Sequence, residues 1–208
     1  MYHCISADPP WLERGGGKCK RGADRHYPLL ATPEIVRVML SAPCWQPAAD
    51  CHLWLWVTNN FLEDGLFVMR ALGFRYVTNL AWGKVKERDQ GDLFVQQGLG
   101  QYLRGSHELC LFGVRGRQPA LARTQSSFLL LHERTEHSVK PAEAYQRMET
   151  ISPGPRLEIF SRDARAGWDG WGGKACEVCN DDIPRDAPCP ACDGKGVIHH
   201  YTQGRRDE

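Results

Sequence analysis

Short apolar runs alternate with stretches of helical periodicity over residues 1 to 162. Such alternation argues for α/β layers around a largely parallel sheet. His3–Ala7 reads as a short opening strand. Thr32, Pro33 and Glu34 supply an N-cap, a first-turn proline and an early acid ahead of Ile35, Val36, Val38 and Met39 at helical spacing. His52–Thr58, rich in Leu, Trp and Val, predicts a buried strand. Phe61–Leu72 predicts a helix with Leu62, Leu66 and Met69 as its apolar positions and Gly73 as its stop. Tyr76–Trp82 and Leu109–Val114 are two further strands, separated by a polar stretch containing Lys84, Lys86, Arg88, Gln96 and Gln97. A loop of that length is usually functional or disordered. Phe128–Leu131 is strand-like, Pro141–Ile151 is a helix opened by proline, and Arg156–Phe160 is a last strand before a Gly/Trp-rich turn. The pattern stops near Lys174, which divides the chain into residues 1–174 and an appendage over 175–208.

Composition narrows the class. With 208 residues, 42% hydrophobic and 25% charged, the chain matches a globular average and wholesale disorder is excluded. The net charge of +1 means that any attraction to nucleic acid must come from local patches. The longest apolar stretch, Cys51–Val57, falls far short of the roughly 20 residues a bilayer requires, so no membrane span is expected. Met1-Tyr2-His3-Cys4 lacks the basic start and apolar core of a secretion signal, which makes the cytoplasm of a prokaryotic or phage-infected cell the expected location.

Of nine cysteines, the first five are scattered and read as reduced thiols, whereas the last four are grouped. Cys176 and Cys179 form one C-x-x-C pair, Cys189 and Cys192 a second, with nine residues between them. Two tight turns of this kind present four thiolates tetrahedrally to structural zinc. The alternatives are two disulfides or four idle thiols. The second pair, with Gly194 and Gly196 after it, resembles one zinc knuckle of the Hsp40 chaperones. Residues 176–208 contain few large apolar side chains, and a bound metal would contribute on the order of 10 kcal/mol to their folding. His199 and His200 are read as surface residues. A closed four-thiolate site has no open coordination position and cannot activate water, so catalysis must lie elsewhere.

Asp8-Pro9-Pro10-Trp11 follows directly on the first strand, where catalytic loops of α/β proteins sit. By itself the tetrapeptide could be a rigid turn. Its chemistry also suits methylation of an exocyclic amine, whose lone pair is conjugated with the ring and must be freed as the nitrogen becomes tetrahedral. A carboxylate from Asp8 and a proline carbonyl can accept the two amine hydrogens, while the prolines stiffen the loop. Trp11 would offer a face for stacking the base, worth roughly 1–3 kcal/mol. Asp8 need not be a strong base, because the proton can leave after transfer. Alignment is the larger effect.

The chain here resembles the DPPW-type adenosine/adenine methyltransferases, the family containing the catalytic subunit of the eukaryotic mRNA methyltransferase and many phage and bacterial DNA enzymes. The resemblance spans roughly residues 3 to 174. Besides Asp8–Trp11 it rests on His26-Tyr27-Pro28, Leu53–Thr58, Leu72-Gly73-Phe74, Trp82-Gly83-Lys84, His107–Leu111, His137–Pro141, Leu157–Arg162 and Gly167–Gly172. It implies an S-adenosylmethionine-dependent transferase of Rossmann-like class I fold, with the motif order permuted so that the catalytic loop precedes much of the cofactor site. Asp8, Pro9, Pro10 and Trp11 match the catalytic loop, with Asp8 also beside the cofactor, and Tyr27 matches an aromatic of the following loop. Lys140 falls on a second active-site loop, where its ammonium would hold the cofactor carboxylate or the substrate. Glu158 and Arg162 match positions beside the cofactor ribose, and Gly172 and Gly173 the loop near its adenine. The chain departs from the family at Gly173, where an Asn is usual, and near Ala164 and Arg165, where a His and an Asn are usual.

Other readings of single residues stand beside these. Trp54 and Trp56 alternate along a strand and fit a core better than a base-stacking surface. Lys140 could be a solvated charge, and Glu158 with Arg162 a plain salt bridge. Lys18, Lys20, Arg21 and Arg25, together with Lys84, Lys86 and Arg88, form two basic segments able to meet phosphates, with Lys84 the expected substrate contact. DNA is the expected substrate and RNA the alternative, and a homodimer or a partner subunit is compatible with both. Competing functions are a non-catalytic nucleic-acid-binding subunit and a methyltransferase for a protein or small amine.

Overall fold

The computed structural model describes residues 1–12, 29–87, 93–98, 102–132, 140–161 and 165–172. Strands β1 (Tyr2–Ala7), β2 (Pro47–Val57), β3 (Arg75–Glu87), β4 (Leu93–Val95), β5 (His107–Arg115), β6 (Phe128–His132), β7 (Arg156–Ile159) and β8 (Asp169–Trp171) form one sheet. Its order is β4-β3-β5-β2-β1-β7-β8, with β6 also pairing β3. The helices are α1 (Thr32–Ser41), α2 (Leu62–Ala71) and α3 (Ala142–Ile151).

The sheet is mixed rather than largely parallel. β1 pairs in parallel with β2 and β7, as do β7 with β8 and β3 with β6, but β5 runs antiparallel to both β2 and β3, and β4 antiparallel to β3. Parallel neighbours need a crossover, which α1 supplies between β1 and β2. Between β3 and β5 the described residues hold only β4, so the chain folds straight back. That return also explains why β3 is longer than the expected Tyr76–Trp82: pairing with β4 and β6 carries it to Glu87 and places Lys84 on a strand rather than in a loop. β4 and β8, three residues each, were hidden in segments that read as loop and turn.

Both faces of the central strands are covered. On β2, Leu53, Leu55 and Val57 face a cluster with Ile35 and Met39 of α1 and Val68 and Met69 of α2, while Trp54 and Trp56 face Ala144, Tyr145 and Met148 of α3. The two tryptophans therefore belong to the core, at 4% and 1% exposed. Ala31, not Thr32, is the N-cap of α1; its N–H donates to the Glu34 carboxylate at 3.0 Å, and the Thr32 hydroxyl donates to Asp64 of α2 at 2.6 Å. Past the end of α2, Gly73 takes φ +83°, a left-handed conformation that glycine adopts without strain. No described helix is long and apolar enough to cross a membrane.

Candidate active site

On the α3 face, rows of alternate residues that are buried through the sheet end in charge. The row of β1 runs Cys4, Ser6 and then Asp8, one residue past the strand; that of β3 runs Leu80, Trp82 and Lys84; that of β5, read backwards, runs Val114, Phe112, Cys110 and Glu108. β1 and β2 are parallel and β5 opposes β2, so the end of β1 and the start of β5 lie at the same end of the sheet. Glu108 pairs across the ladder with Trp82.

Lys140, just before α3, completes the cluster. Its Nζ lies 2.8 Å from Asp8 Oδ2 and 3.4 Å from Glu108 Oε2, while Lys84 Nζ lies 2.8 Å from Glu108 Oε1. The result is a chain of alternating sign, Asp8–Lys140–Glu108–Lys84. Beneath it, Lys140 stands 5.3 Å from the ring centre of Trp56 and Lys84 5.0 Å from that of Trp82, and the two indoles meet edge to face at 6.3 Å. Burial alone would raise the pKa of Glu108, but the Lys140 and Lys84 ammoniums outweigh it and hold the carboxyl below its ordinary value.

The Asp8–Trp11 tetrapeptide is fixed at both ends. Asp8 leaves β1 beside the ends of β2 and β7. Beyond it, the Trp11 N–H donates to Pro9 O at 3.0 Å, the Leu30 N–H to Pro10 O at 2.8 Å and the Leu12 N–H to Leu30 O at 3.0 Å. Each proline carbonyl thus already accepts one N–H and keeps its second lone pair. Trp11, the expected base-stacking residue, packs inward. Its indole is 8% exposed, lies stacked on Phe61 at 5.5 Å between centroids and donates Nε1–H to Trp56 O at 3.0 Å. A large apolar ring one turn beyond a central strand gains more from the core than from solvent.

Lys84, the expected substrate contact, is paired with Glu108 and stands over the Trp82 ring. Lys140 is no solvated charge, since its side chain is 9% exposed between two carboxylates. Glu158 on β7 faces Ser6 across the β1–β7 ladder and accepts a hydrogen bond from the Tyr145 hydroxyl of α3. Burial, and then the charge of Glu158, push the pKa of Tyr145 upward, so the phenol remains a donor. Past β7, Phe160 takes φ +65° and Gly172 φ +120°. A Cβ on Gly172 would come within 2.7 Å of Phe160 Cα, so only glycine lets the two segments approach. Tyr27, Arg162, Gly173 and the cysteines Cys176, Cys179, Cys189 and Cys192 lie outside the described residues. Cys4, Cys44, Cys51 and Cys110 are free, buried thiols; burial raises the pKa of Cys4 and Cys51 to about 12 and of Cys44 to about 11, which makes them poor nucleophiles.

Glu108, although within the His107–Leu111 segment, and Tyr145 were given no site role from the sequence. Glu108 carries a legible signal, a carboxylate in period with buried Cys110 and Phe112. Tyr145 carries none beyond its place on the buried side of α3.

The charged cluster stands past the end of β1, with β2 on one side of that strand and β7 on the other, the kind of position at which open α/β sheets generally bind ligands. The MT-A70 family profile matches residues 2–174, and the chain belongs to the MT-A70 family. It is 31% identical over 175 residues to the N(6)-adenosine-methyltransferase MT-A70-like of Arabidopsis thaliana, covering 80% of this chain and 23% of that protein. Against the human N(6)-adenosine-methyltransferase catalytic subunit METTL3, identity is 30% over 167 residues, 77% of this chain and 26% of METTL3. With the type II methyltransferase M.MunI of a Mycoplasma species, identity is 27% over 194 residues, covering 82% of this chain and 76% of M.MunI. The chain therefore spans about a quarter of the length of its plant and animal relatives and about three quarters of the bacterial one.

Proposed function

We propose that the chain transfers a methyl group from S-adenosylmethionine to the exocyclic amine of adenine in DNA, on a Rossmann-like class I fold with permuted motif order. The carrying observation is the Asp8 carboxylate, fixed at the end of β1 by Lys140 at 2.8 Å. An ionised carboxylate is acceptor-only, which is what the two hydrogens of an amine require. S-adenosylmethionine, when bound, supplies an electrophilic methyl carbon. The chain's own work is to hold the amine with its lone pair toward that carbon: Asp8 takes one hydrogen, the free lone pair of Pro9 or Pro10 the other, and the rigid loop holds both acceptors in place. The amine's surplus proton passes to Asp8 or to solvent once the nitrogen carries the extra bond. Lys140 and Glu108 orient the Asp8 oxygens; both are positioning residues.

The donor set suits the cofactor. Glu158 can accept from sugar hydroxyls, and the Ser6 hydroxyl and Arg165 Nε are buried with no hydrogen-bond partner among the described residues. Arg162 and Gly173 are assigned to the same pocket, and Tyr27 to the substrate, from the family resemblance alone. DNA is favoured over RNA because the likeness covers most of the type II methyltransferase M.MunI but only a fraction of the N(6)-adenosine-methyltransferases. Zinc at Cys176, Cys179, Cys189 and Cys192 is proposed from their spacing, with residues 175–208 as its appendage. Metal analysis of the purified chain before and after chelation tests it.

The test of function is transfer of labelled methyl to DNA, to RNA and to no nucleic acid, with mass analysis of the nucleosides. The expected product is adenine methylated on its exocyclic amine in DNA. Asp8→Asn is expected to abolish it with the fold retained, and undiminished transfer by that variant would refute the assignment.

A further inference from the structure

We propose that Tyr102 and Leu103 form a wedge that enters the base stack of duplex DNA and fills the gap left when the target adenine turns out toward Asp8. This rests on the methyl-transfer reading above and deepens it: the substrate is paired DNA, opened by the chain itself.

The two side chains are large, adjacent and almost fully open to solvent. Tyr102 is 98% exposed and Leu103 86%, whereas the other described tyrosines are at most 40% exposed. Both stand where the chain returns from β4 to β5. The neck of that return is tied to β3 beside the charged cluster: the Gly98 N–H donates to Gly105 O at 2.6 Å, the Gln96 N–H to Lys84 O at 2.8 Å and the Lys84 N–H to Ser106 O at 2.9 Å. Five residues past Leu103 comes Glu108, which shares Lys140 with Asp8. Five extended residues span at most about 18 Å, so the pair is held within a few base steps of an adenine at Asp8.

A base leaves a duplex only if other contacts repay the stacking and pairing it gives up. An apolar side chain does so by parting a base step, and an aromatic ring by stacking on the bases that are uncovered. Leu103 suits the first task and Tyr102 the second, with its hydroxyl able to meet the edge of the base left without a partner. The local charge agrees. From Leu93 to His107 the sequence holds no Asp or Glu, although the chain carries 25, and Arg104 follows the pair at an exposed position. A surface that comes between phosphates must lack carboxylates, whereas one that meets another protein need not.

The experiment is transfer of labelled methyl by the full chain to mixed-sequence DNA as duplex and to the same DNA heat-denatured, for the unaltered protein, the double variant Tyr102→Ser with Leu103→Ser, and Tyr102→Phe. The double variant is expected to lose about 10- to 100-fold on duplex, the range of one lost stacking contact. On denatured DNA, where no base has to leave a pair, its rate should match that of the unaltered chain. Tyr102→Phe keeps the ring and should restore most of the duplex rate. A second measurement is permanganate oxidation of unstacked thymines in duplex bound in the presence of S-adenosylhomocysteine. The unaltered chain should make the thymine opposite the target reactive, and the double variant should not. Undiminished duplex transfer by the double variant would overturn the wedge, as would an equal loss on both forms of DNA or transfer by the unaltered chain to denatured DNA alone. For a chain that acts on duplex alone, the same thymine reactivity in the double variant and the unaltered chain would overturn it. A loss accompanied by a change from dimer to monomer in sedimentation would assign the pair to a protein contact instead. Failure of the unaltered chain to methylate either form of DNA would overturn the DNA reading itself, and this inference with it.

Discussion

Asp8 and Lys140, 132 residues apart, meet at 2.8 Å, and Glu108 shares the same ammonium from 3.4 Å. Removing the cation leaves two carboxylates facing each other in a site whose side chains are at most about one-fifth exposed. Lys140→Met is therefore expected to lower unfolding free energy by about 3 kcal/mol. Methyl transfer should fall by about 100-fold or more, because the aspartate loses its fixed orientation. Denaturant titration and single-turnover methyl transfer measure the two effects. A variant with unchanged stability and rate would show that the pair does neither.

Trp11 separates packing from recognition. With its ring on Phe61 and its N–H on a backbone carbonyl of β2, Trp11→Ala is expected to cost about 3–5 kcal/mol. Trp11→Phe should retain much of the packing and lose the hydrogen bond. If the side chain served only to stack a base, Trp11→Ala would keep its denaturation midpoint and raise KM alone.

Two titrations are expected to shape stability on the acid side. His52 is buried between the Ser152 hydroxyl at 2.9 Å and Gln118 O at 3.1 Å, and desolvation lowers its pKa from an ordinary 6.5. The unfolded chain therefore takes up the proton first, and stability falls as pH drops below about 6.5. Glu108 acts lower: its folded pKa lies beneath the ordinary 4.5, so its contribution is present above that value and is lost as pH falls through the folded one. His52→Gln should flatten the first decline and Glu108→Gln the second, as read from urea midpoints across pH 3–8. Parallel curves for variant and parent would contradict the assignment.

Gly172, directly after β8, takes φ +120°, with Phe160 backbone atoms 2.7–3.3 Å from where a Cβ would sit. Gly172→Ala should strain this turn by about 1–3 kcal/mol. Because the turn lies at the edge of the sheet, the expected result is weaker binding of S-adenosylhomocysteine by calorimetry, with little change in global melting temperature. Unchanged affinity would place the turn outside the cofactor site.

Much of the scaffold was legible because burial has a period. Leu53, Leu55 and Val57 against Trp54 and Trp56 announce a strand covered on both faces, and Pro141 and Gly73 mark real helix boundaries. The rigid turn at Asp8–Trp11 was legible as well, since two prolines after an apolar strand leave few conformations. Lys84 was misplaced because its strand exists through pairing with β4 and β6 rather than through its own residues. Glu108 was legible only as a charge in a buried row, and Arg165 only as a departure from a familiar pattern.

The order of residues by itself determined which side chains each strand turns to either face, where helices begin and stop, and that a carboxylate stands at the end of β1. Tertiary structure alone decided that β5 inserts antiparallel between β2 and β3, that Trp11 turns inward, and that Asp8, Glu108 and Lys140 share one cluster. The reason is physical: alternation and capping act over a few neighbouring residues, whereas strand order and direction are settled by packing between segments tens of residues apart, about which local periodicity carries no information.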